Sequence, residues 1–329
     1  MNPVTPAPRR ILLVLGMHRS GTSATTGALQ CLGVNLGAKL YAGQQGINPK
    51  GYFEHSEVAD LNDEVLFALG SSWDDILNKP DGWWTSAALQ PFRAELTSIL
   101  LRDTAVDGLF AIKDPRTCRL LPWWLDVMKE AGITPTFLFA VRRPAEVFKS
   151  LEKRDGFSPD KAFVLWCQHY LEAEFWSRGH ARATLEFGAF LAQPADEMQR
   201  VEQALGINFP RAAALARDEL AAFVSNDLRH HAGAAADGTP TLELLAEAVF
   251  ETFDDARGQS DIDKPRMDAL RQQLDAHVAG YPPMLVEHLL SIGRQRGQQE
   301  LTVNRLLRSW SWYTGKPVRF VERLLGRRV

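Results

Sequence analysis

The chain has 329 residues, 45% of them hydrophobic, and a formal net charge of −3. This is globular composition, which excludes a disordered or collagen-like chain, and the near-neutral balance excludes a general nucleic-acid binder. The three cysteines, Cys31, Cys118 and Cys167, are odd in number, widely spaced and never in a C-x-x-C pair. They argue against a disulfide framework or a zinc site and fit a reduced, cytoplasmic setting.

Residues 1–10 hold three prolines and read as a loose lead-in. Arg9 and Arg10 precede the apolar run Ile11–Leu15, which is too short for the apolar region of a signal peptide. No run approaches the length needed to cross a bilayer. Ile11–Leu15 instead predicts a strand buried on both faces, as in parallel sheets. The glycine-bearing segment Gly16–Ser23 follows, then a helical stretch over Ala24–Leu32 that ends at Gly33.

Residues 41–52, with Gly43, Gly46, Pro49 and Gly51, read as a loop, and Glu57–Leu69 has helical apolar spacing. The stretch 70–91 carries Trp73, Pro80, Trp83 and Trp84 and is expected to be irregular. Leu109–Ile112 and Thr136–Val141 predict a second and a third strand, with a helix near Trp123–Ala131 between them. Helices over Ala145–Lys153 and Lys161–Ser177 and a strand over Ala183–Phe187 follow, and the remainder is helical in pattern. This alternation predicts an α/β fold of the nucleotide-loop type, a parallel sheet with helices on both faces. The expected organisation is a lead-in over 1–10, a main domain over 11–293 with helical elaborations, and a basic tail over 294–329.

Gly16-Met-His-Arg-Ser-Gly-Thr-Ser23 lies between a buried strand and a helix, where backbone N–H groups and a helix N-terminus make an anion site. Its spacing is close to G-x-x-x-x-G-K-[ST], but Thr22 stands where a nucleotide triphosphatase has its lysine, and the cation is Arg19. The loop resembles the 5′-phosphosulfate-binding loop of sulfotransferases that use 3′-phosphoadenosine 5′-phosphosulfate (PAPS), in which a basic residue precedes Ser-Gly-Thr. The resemblance assigns His18, Arg19, Ser20, Gly21, Thr22 and Ser23 to that end of the donor.

The third predicted strand runs into Val141-Arg-Arg-Pro-Ala-Glu-Val-Phe-Lys-Ser150. Arg142 falls at the C-terminal edge of the strand, where open α/β sheets bind ligands, and Ser150 follows two helical turns later. An arginine and a hydroxyl meeting on one phosphate is sound chemistry. The segment is similar to the same family's 3′-phosphate motif, which implies that role for Arg142 and Ser150.

Sulfuryl transfer needs a base for the acceptor hydroxyl and stabilisation of charge on the transferring group. Related sulfotransferases use a Glu or a His at a comparable stage after the loop. That implies Glu54 as base with His55 as the alternative; the other reading makes Glu54 a cap of the helix that follows. Lys113, directly after the second strand in Lys113-Asp-Pro-Arg116, faces the same edge and can approach the bridging oxygen of the donor, or else pairs with a carboxylate. Arg19 adds charge stabilisation, and Arg116 can touch donor or acceptor. No metal is expected, since the eight histidines form no H-x-x-x-H pair.

The resemblance further implies an acceptor cleft bordered by Phe223–His231, with a carbohydrate of the cell envelope as acceptor. The tryptophans at 73–84 either stack on a sugar or adenine or pack as core. From Arg294 to Val329 there are nine Lys/Arg and two Asp/Glu, a balance of +7, which leaves 28 basic and 38 acidic residues elsewhere, a balance of −10. With Trp310, Trp312, Phe320, Val321, Leu324 and Leu325, the tail reads as an interfacial helix drawn to anionic lipid on the inner face of the membrane, or as a helix packed on the main domain. Two rival functions stay open: a P-loop kinase or nucleotide triphosphatase, against which Thr22 stands, and a non-catalytic membrane-associated envelope protein, against which Arg142 with Ser150 stands.

Overall fold

The structure, a computed structural model, describes residues 9–41, 52–105, 108–224, 239–259 and 261–308, with residues 305–308 described by their backbone. Four strands form one parallel sheet in the order β2-β1-β3-β4: β1 (Arg9–Leu15), β2 (Phe110–Lys113), β3 (Ile133–Val141) and β4 (Arg182–Glu186). The register sets Leu13 beside Ile112 on one side and Phe137 on the other. Ile11 to Leu15 are buried throughout, so this part of the strand is continuously apolar rather than alternating.

Both faces of the sheet are covered by helices, which is the α/β architecture that the alternation predicts. Leu12, Val14, Leu138 and Ala140 share one buried cluster with Ala28 and Leu29 of α1 (Thr22–Cys31), Phe190 of α7 (Phe187–Ala192), Met198 and Val201 of α8 (Pro194–Leu205) and Leu220 of α9 (Arg217–Phe223). On the other face, Phe139 packs against Phe253 of α10 (Pro240–Asp255) with ring centroids 5.0 Å apart. Tyr170 of α6 (Pro159–Trp176) meets the same phenylalanine at 5.4 Å. This face also carries α4 (Thr117–Glu130) and α5 (Pro144–Asp155), and α11 (Lys264–Ala279) packs beyond α6.

Three departures from the sequence reading have local causes. Helix α4 begins six residues before the expected Trp123, because Pro122 lies inside it rather than ending anything. Helix α3 (Gln90–Asp103), where the sequence reading places no element, carries Pro91 in its first turn, where a missing N–H costs nothing. The stretch before it is irregular as expected, apart from short 3-10 turns at Trp83–Thr85 and Ala87–Leu89. The expected helix over Glu57–Leu69 is α2 (Ser56–Ala68).

The chain divides into two compact units, one of Met1–Asn62 with Ile76–Tyr281 and one of Asp63–Asp75 with Pro282–Val329. The first holds the sheet. In the second, α12 (Pro283–Arg308) approaches the end of α2 closely enough to require glycine. A Cβ on Gly293 would stand 2.2 Å from the Gly70 carbonyl oxygen, and one on Gly297 would stand 2.4 Å from that of Phe67. Helix α12 runs unbroken across residues 293 and 294, where the sequence reading starts the tail. The aromatic and apolar part of that tail, 309–329, lies outside the described residues, as do 42–51 and 225–238, which hold most of the expected cleft border at Phe223–His231. No described helix is long and apolar enough to cross a membrane.

Candidate active site

The loop after β1 is shaped by glycine at two points. Gly16 has φ +153°, and a Cβ there would lie 2.5 Å from the Ala140 carbonyl oxygen on the neighbouring strand. Gly21 has φ +87° at the head of α1, and a Cβ there would enter the Phe187 ring at 2.3 Å. Between them Arg19 adopts φ +69°. A left-handed conformation in a non-glycine residue costs about 1–3 kcal/mol and persists where the surroundings impose it. Among the described residues the other such case is Phe53, φ +52°, next to Glu54. Both strained positions therefore lie at or beside candidate site residues.

No described side chain caps α1 and no acidic residue occupies its first turn. Its first N–H groups face the loop with a partial positive charge. The Gly16 N–H donates to Cys118 Sγ at 3.1 Å, and burial pushes that thiol up to about 12, so Cys118 stays protonated. The hydroxyls of the loop differ in placement. Ser20 is buried beneath it beside the hydroxyl of Tyr170, which donates to the Ala140 carbonyl at 2.6 Å. Thr22 is buried too, whereas Ser23 Oγ lies 3.1 Å from Lys113 Nζ.

The two sequence motifs meet. Arg19 Nε donates to Ser150 Oγ at 2.7 Å, and Arg142 Nη1 to the Arg19 carbonyl at 3.3 Å. Arg142 also pairs with Glu146 at 2.8 Å, and its guanidinium lies 4.7 Å from the centre of the Phe187 ring. One helical turn after Ser150 comes Arg154, which the sequence reading missed. The i, i+4 spacing from Ser150 places the two on one face of α5 and was the available signal. Burial, then Arg154, then Arg142, push the Arg19 guanidinium below its ordinary value. Guanidinium groups crowded so that they oppose one another's charge favour an anion between them.

The candidate catalytic residues form a second group beside the loop. Lys113 Nζ, nearly inaccessible at the end of β2, donates to Glu54 Oε1 at 2.6 Å and to the Tyr52 carbonyl at 2.9 Å. Ser23 Oγ reaches the same Tyr52 carbonyl at 3.2 Å. His55 is not part of this group. Its ring is buried and pairs through Nε2 with Asp103 at 2.8 Å, and burial lowers its pKa against the pull of that carboxylate. Arg116 is tied to Asp114 at 2.9 Å, and Asp114 is held by the Asn62 amide at 2.8 Å. His18 lies edge-on to His169 of α6, centroids 6.4 Å apart, and burial followed by the nearby Arg116 pushes it well below its ordinary value. Among the described residues no cluster of His, Cys, Asp and Glu is arranged to hold a metal ion.

No protein-family model and no curated protein matches the chain. Among solved structures it is similar to the sulfotransferase domain of the Synechococcus PCC 7002 olefin synthase, at 17% identity over 77% of this chain and 98% of that one, with a TM-score of 0.44. It is also similar to a sulfotransferase domain from the curacin biosynthetic pathway, at 13% identity over 82% of this chain and 99% of that one, with a TM-score of 0.35.

Proposed function

We propose that the chain is a sulfotransferase that moves a sulfuryl group from PAPS to a hydroxyl of a cell-envelope carbohydrate. One observation carries the reading: Arg19 Nε donates to Ser150 Oγ at 2.7 Å, which joins the loop suited to a 5′-phosphosulfate to the helix suited to a 3′-phosphate. Arg19, Arg142 and Ser150 would hold the donor without a metal, and Arg154 would reinforce them. A P-loop kinase needs a loop lysine; Thr22 is buried at that position, and Lys113, a cation beside the first turn of α1, comes from the neighbouring strand.

The donor supplies the sulfuryl group: a bond forms from the acceptor oxygen to sulfur, the bond from sulfur to the phosphate oxygen breaks, and adenosine 3′,5′-bisphosphate leaves. In this reading Glu54 takes the acceptor proton. Lys113, already at hydrogen-bond distance from Glu54 and Ser23, turns toward the oxygen on which the leaving negative charge collects. Arg19 and the N–H groups at the head of α1 face the charge on the transferring group.

Calorimetry tests the donor assignment. The protein should bind adenosine 3′,5′-bisphosphate tightly and ATP weakly, with no effect of magnesium. Magnesium-dependent ATP binding without preference for the 3′-phosphate would sink it in favour of the kinase reading. Incubation with labelled PAPS and a panel of envelope glycans then tests transfer.

We propose in addition that the enzyme is cytoplasmic and that residues 294–329 bring it to anionic lipid. The support is the charge split of +7 against −10, since each basic residue near such a surface contributes about 1 kcal/mol. The full chain should co-sediment with anionic vesicles and partly resist salt. A chain cut after Arg308 that stays folded and binds vesicles as before rules this out.

A further inference from the structure

A cleft of about 170 Å³ opens between the stretch Asn78–Trp84, helix α6 and helix α11. Trp83, Trp84 and Trp176 line it, each partly exposed rather than committed to the core. Trp84 meets Trp176 edge-on with centroids 4.9 Å apart, and Trp83 meets Trp84 edge-on at 6.2 Å. Rings set edge to face leave ring faces turned at angles to one another, as walls rather than as a stack. A cavity of about 150 Å³ holds a benzene ring, so this volume suits one six-membered ring.

The floor is polar and fixed. Arg119, on the first turn of α4 and buried, donates Nη1 to Gln168 Oε1 at 2.7 Å and Nη2 to the Leu77 carbonyl at 3.2 Å, and pairs with Glu172 at 2.9 Å. The Gln168 amide in turn donates to the Ile76 carbonyl at 2.7 Å, and the Asn78 amide to Asp275 at 2.9 Å. A carboxylate has about four acceptor sites, so Glu172 and Asp275 keep capacity for hydroxyl donors beyond these bonds.

We infer that this cleft seats one pyranose ring of a neutral saccharide; on the sulfotransferase reading above, it would hold a ring of the carbohydrate acceptor other than the one that meets Glu54, which does not line it. A tryptophan face is electron-rich and attracts the weakly positive C–H face of a pyranose, while the ring's hydroxyl edge needs fixed carboxylate and amide partners. The wall-and-floor arrangement offers both. An anion is disfavoured because the lining cations are already engaged. Lys79 lies 5.5 Å from the Trp83 ring centre, and Arg271 lies 4.0 Å from that of Phe175. The carboxylates of Asp81, Glu172 and Asp275 line the same space. The cleft also shares its supports with the catalytic group. Arg119 stands one turn after the Lys113–Arg116 segment, and His169, next to Gln168, abuts His18 of the loop.

The experiment titrates the full chain with the methyl pyranosides of glucose, galactose, mannose and N-acetylglucosamine, read by saturation-transfer NMR and tryptophan fluorescence. Methyl phosphate serves as the anionic control and adenosine 3′,5′-bisphosphate as the donor-site probe. At least one pyranoside should bind and methyl phosphate should not. Trp84→Ala should weaken pyranoside binding about tenfold or more, with bisphosphate affinity unchanged. If Trp84→Ala does not fold, Trp83→Ala decides, since that ring is partly exposed. Failure of every pyranoside while the bisphosphate binds overturns the cleft and spares the sulfotransferase reading. Pyranoside binding without bisphosphate binding does the reverse. Loss of bisphosphate binding in Trp84→Ala would mean that the cleft holds adenine, which also overturns the inference.

Discussion

The edge where we place the donor and the tryptophan cleft are built from different materials. At the edge, the backbone does most of the work: Gly16 and Gly21 at positive φ, Arg19 held in a left-handed turn, and the N–H groups at the head of α1. Side chains there complete a shape that the chain path has set. In the cleft, the chain path merely carries ring faces, carboxylates and amides supplied by α6, α11 and the irregular stretch before α3. A site made from a backbone path tolerates few substitutions, since any Cβ at Gly21 collides with Phe187. A site made from side-chain surfaces can change its ligand by changing one ring. A constant donor and a variable acceptor would call for this division.

Separating chemistry from both binding sites gives the largest expected effect. Glu54→Gln should lower turnover about 10²–10⁴-fold, the usual contribution of a positioned base. Affinities for the bisphosphate and for a pyranoside should stay as they were, because Glu54 belongs to neither wall. Steady-state kinetics beside calorimetry reads both. Full activity in Glu54→Gln would remove Glu54 from the chemistry and leave its pair with Lys113 a structural one.

The same division explains what the sequence made legible. The sheet and its parallel sense could be read, and the two motifs picked out, because their signals are local: an all-apolar run, glycines at fixed offsets, an arginine at a strand end followed by Ser150. Even the pairing of the two motifs could be anticipated, since both lie at C-terminal strand edges of one sheet. The hydrogen bond from Arg19 to Ser150 spans 131 positions and adds what offsets alone could not, namely contact between them. The different partners of Glu54 and His55 could be seen only in the fold, because two adjacent side chains diverge according to the backbone between them. Here His55 goes under α3, itself unexpected, to meet Asp103, while Glu54 reaches Lys113. The cleft was the least legible part. Trp83, Trp84, Gln168, Trp176 and Asp275 share no spacing, and nothing in composition distinguishes a tryptophan that lines a cleft from one such as Trp123 or Trp124, which is fully buried.

Arg142→Ala should then break the donor edge alone. Removing one charged hydrogen bond to a phosphate costs roughly 1.5–3 kcal/mol, which is a loss of about ten- to a hundredfold in the preference for a 3′-phosphate over an unphosphorylated ribose. Pyranoside binding should not change. Competition calorimetry with adenosine 5′-phosphate and the 3′,5′-bisphosphate measures the preference directly. An unaltered preference would move the 3′-phosphate away from Arg142. An equal fall in pyranoside affinity would show that the two regions are not separable as drawn.

The smallest effect tests the residue that stands between them. Burial pushes the His169 imidazole down to about 3, and its Nδ1 lies 2.7 Å from the Leu165 carbonyl, the geometry of a neutral ring donating to an oxygen. In the unfolded chain a histidine titrates near 6.5. The unfolded state therefore binds more protons between those values. The stability that His169 contributes is present in full above about pH 6.5 and is lost progressively as pH falls toward 3. The slope for one such group is roughly 1 kcal/mol per pH unit, and His18, also shifted down, adds to it. Urea midpoints at pH 7.5 and 5.5 should show this loss, and His169→Phe should reduce it. Because His169 touches His18 while its neighbour Gln168 forms the cleft floor, acid should weaken bisphosphate and pyranoside binding over the same pH range, once the phosphate's own titration is subtracted. If His169→Phe leaves the acid slope unchanged, the proton uptake lies elsewhere. If acid weakens binding at one site only, α6 does not couple the two regions.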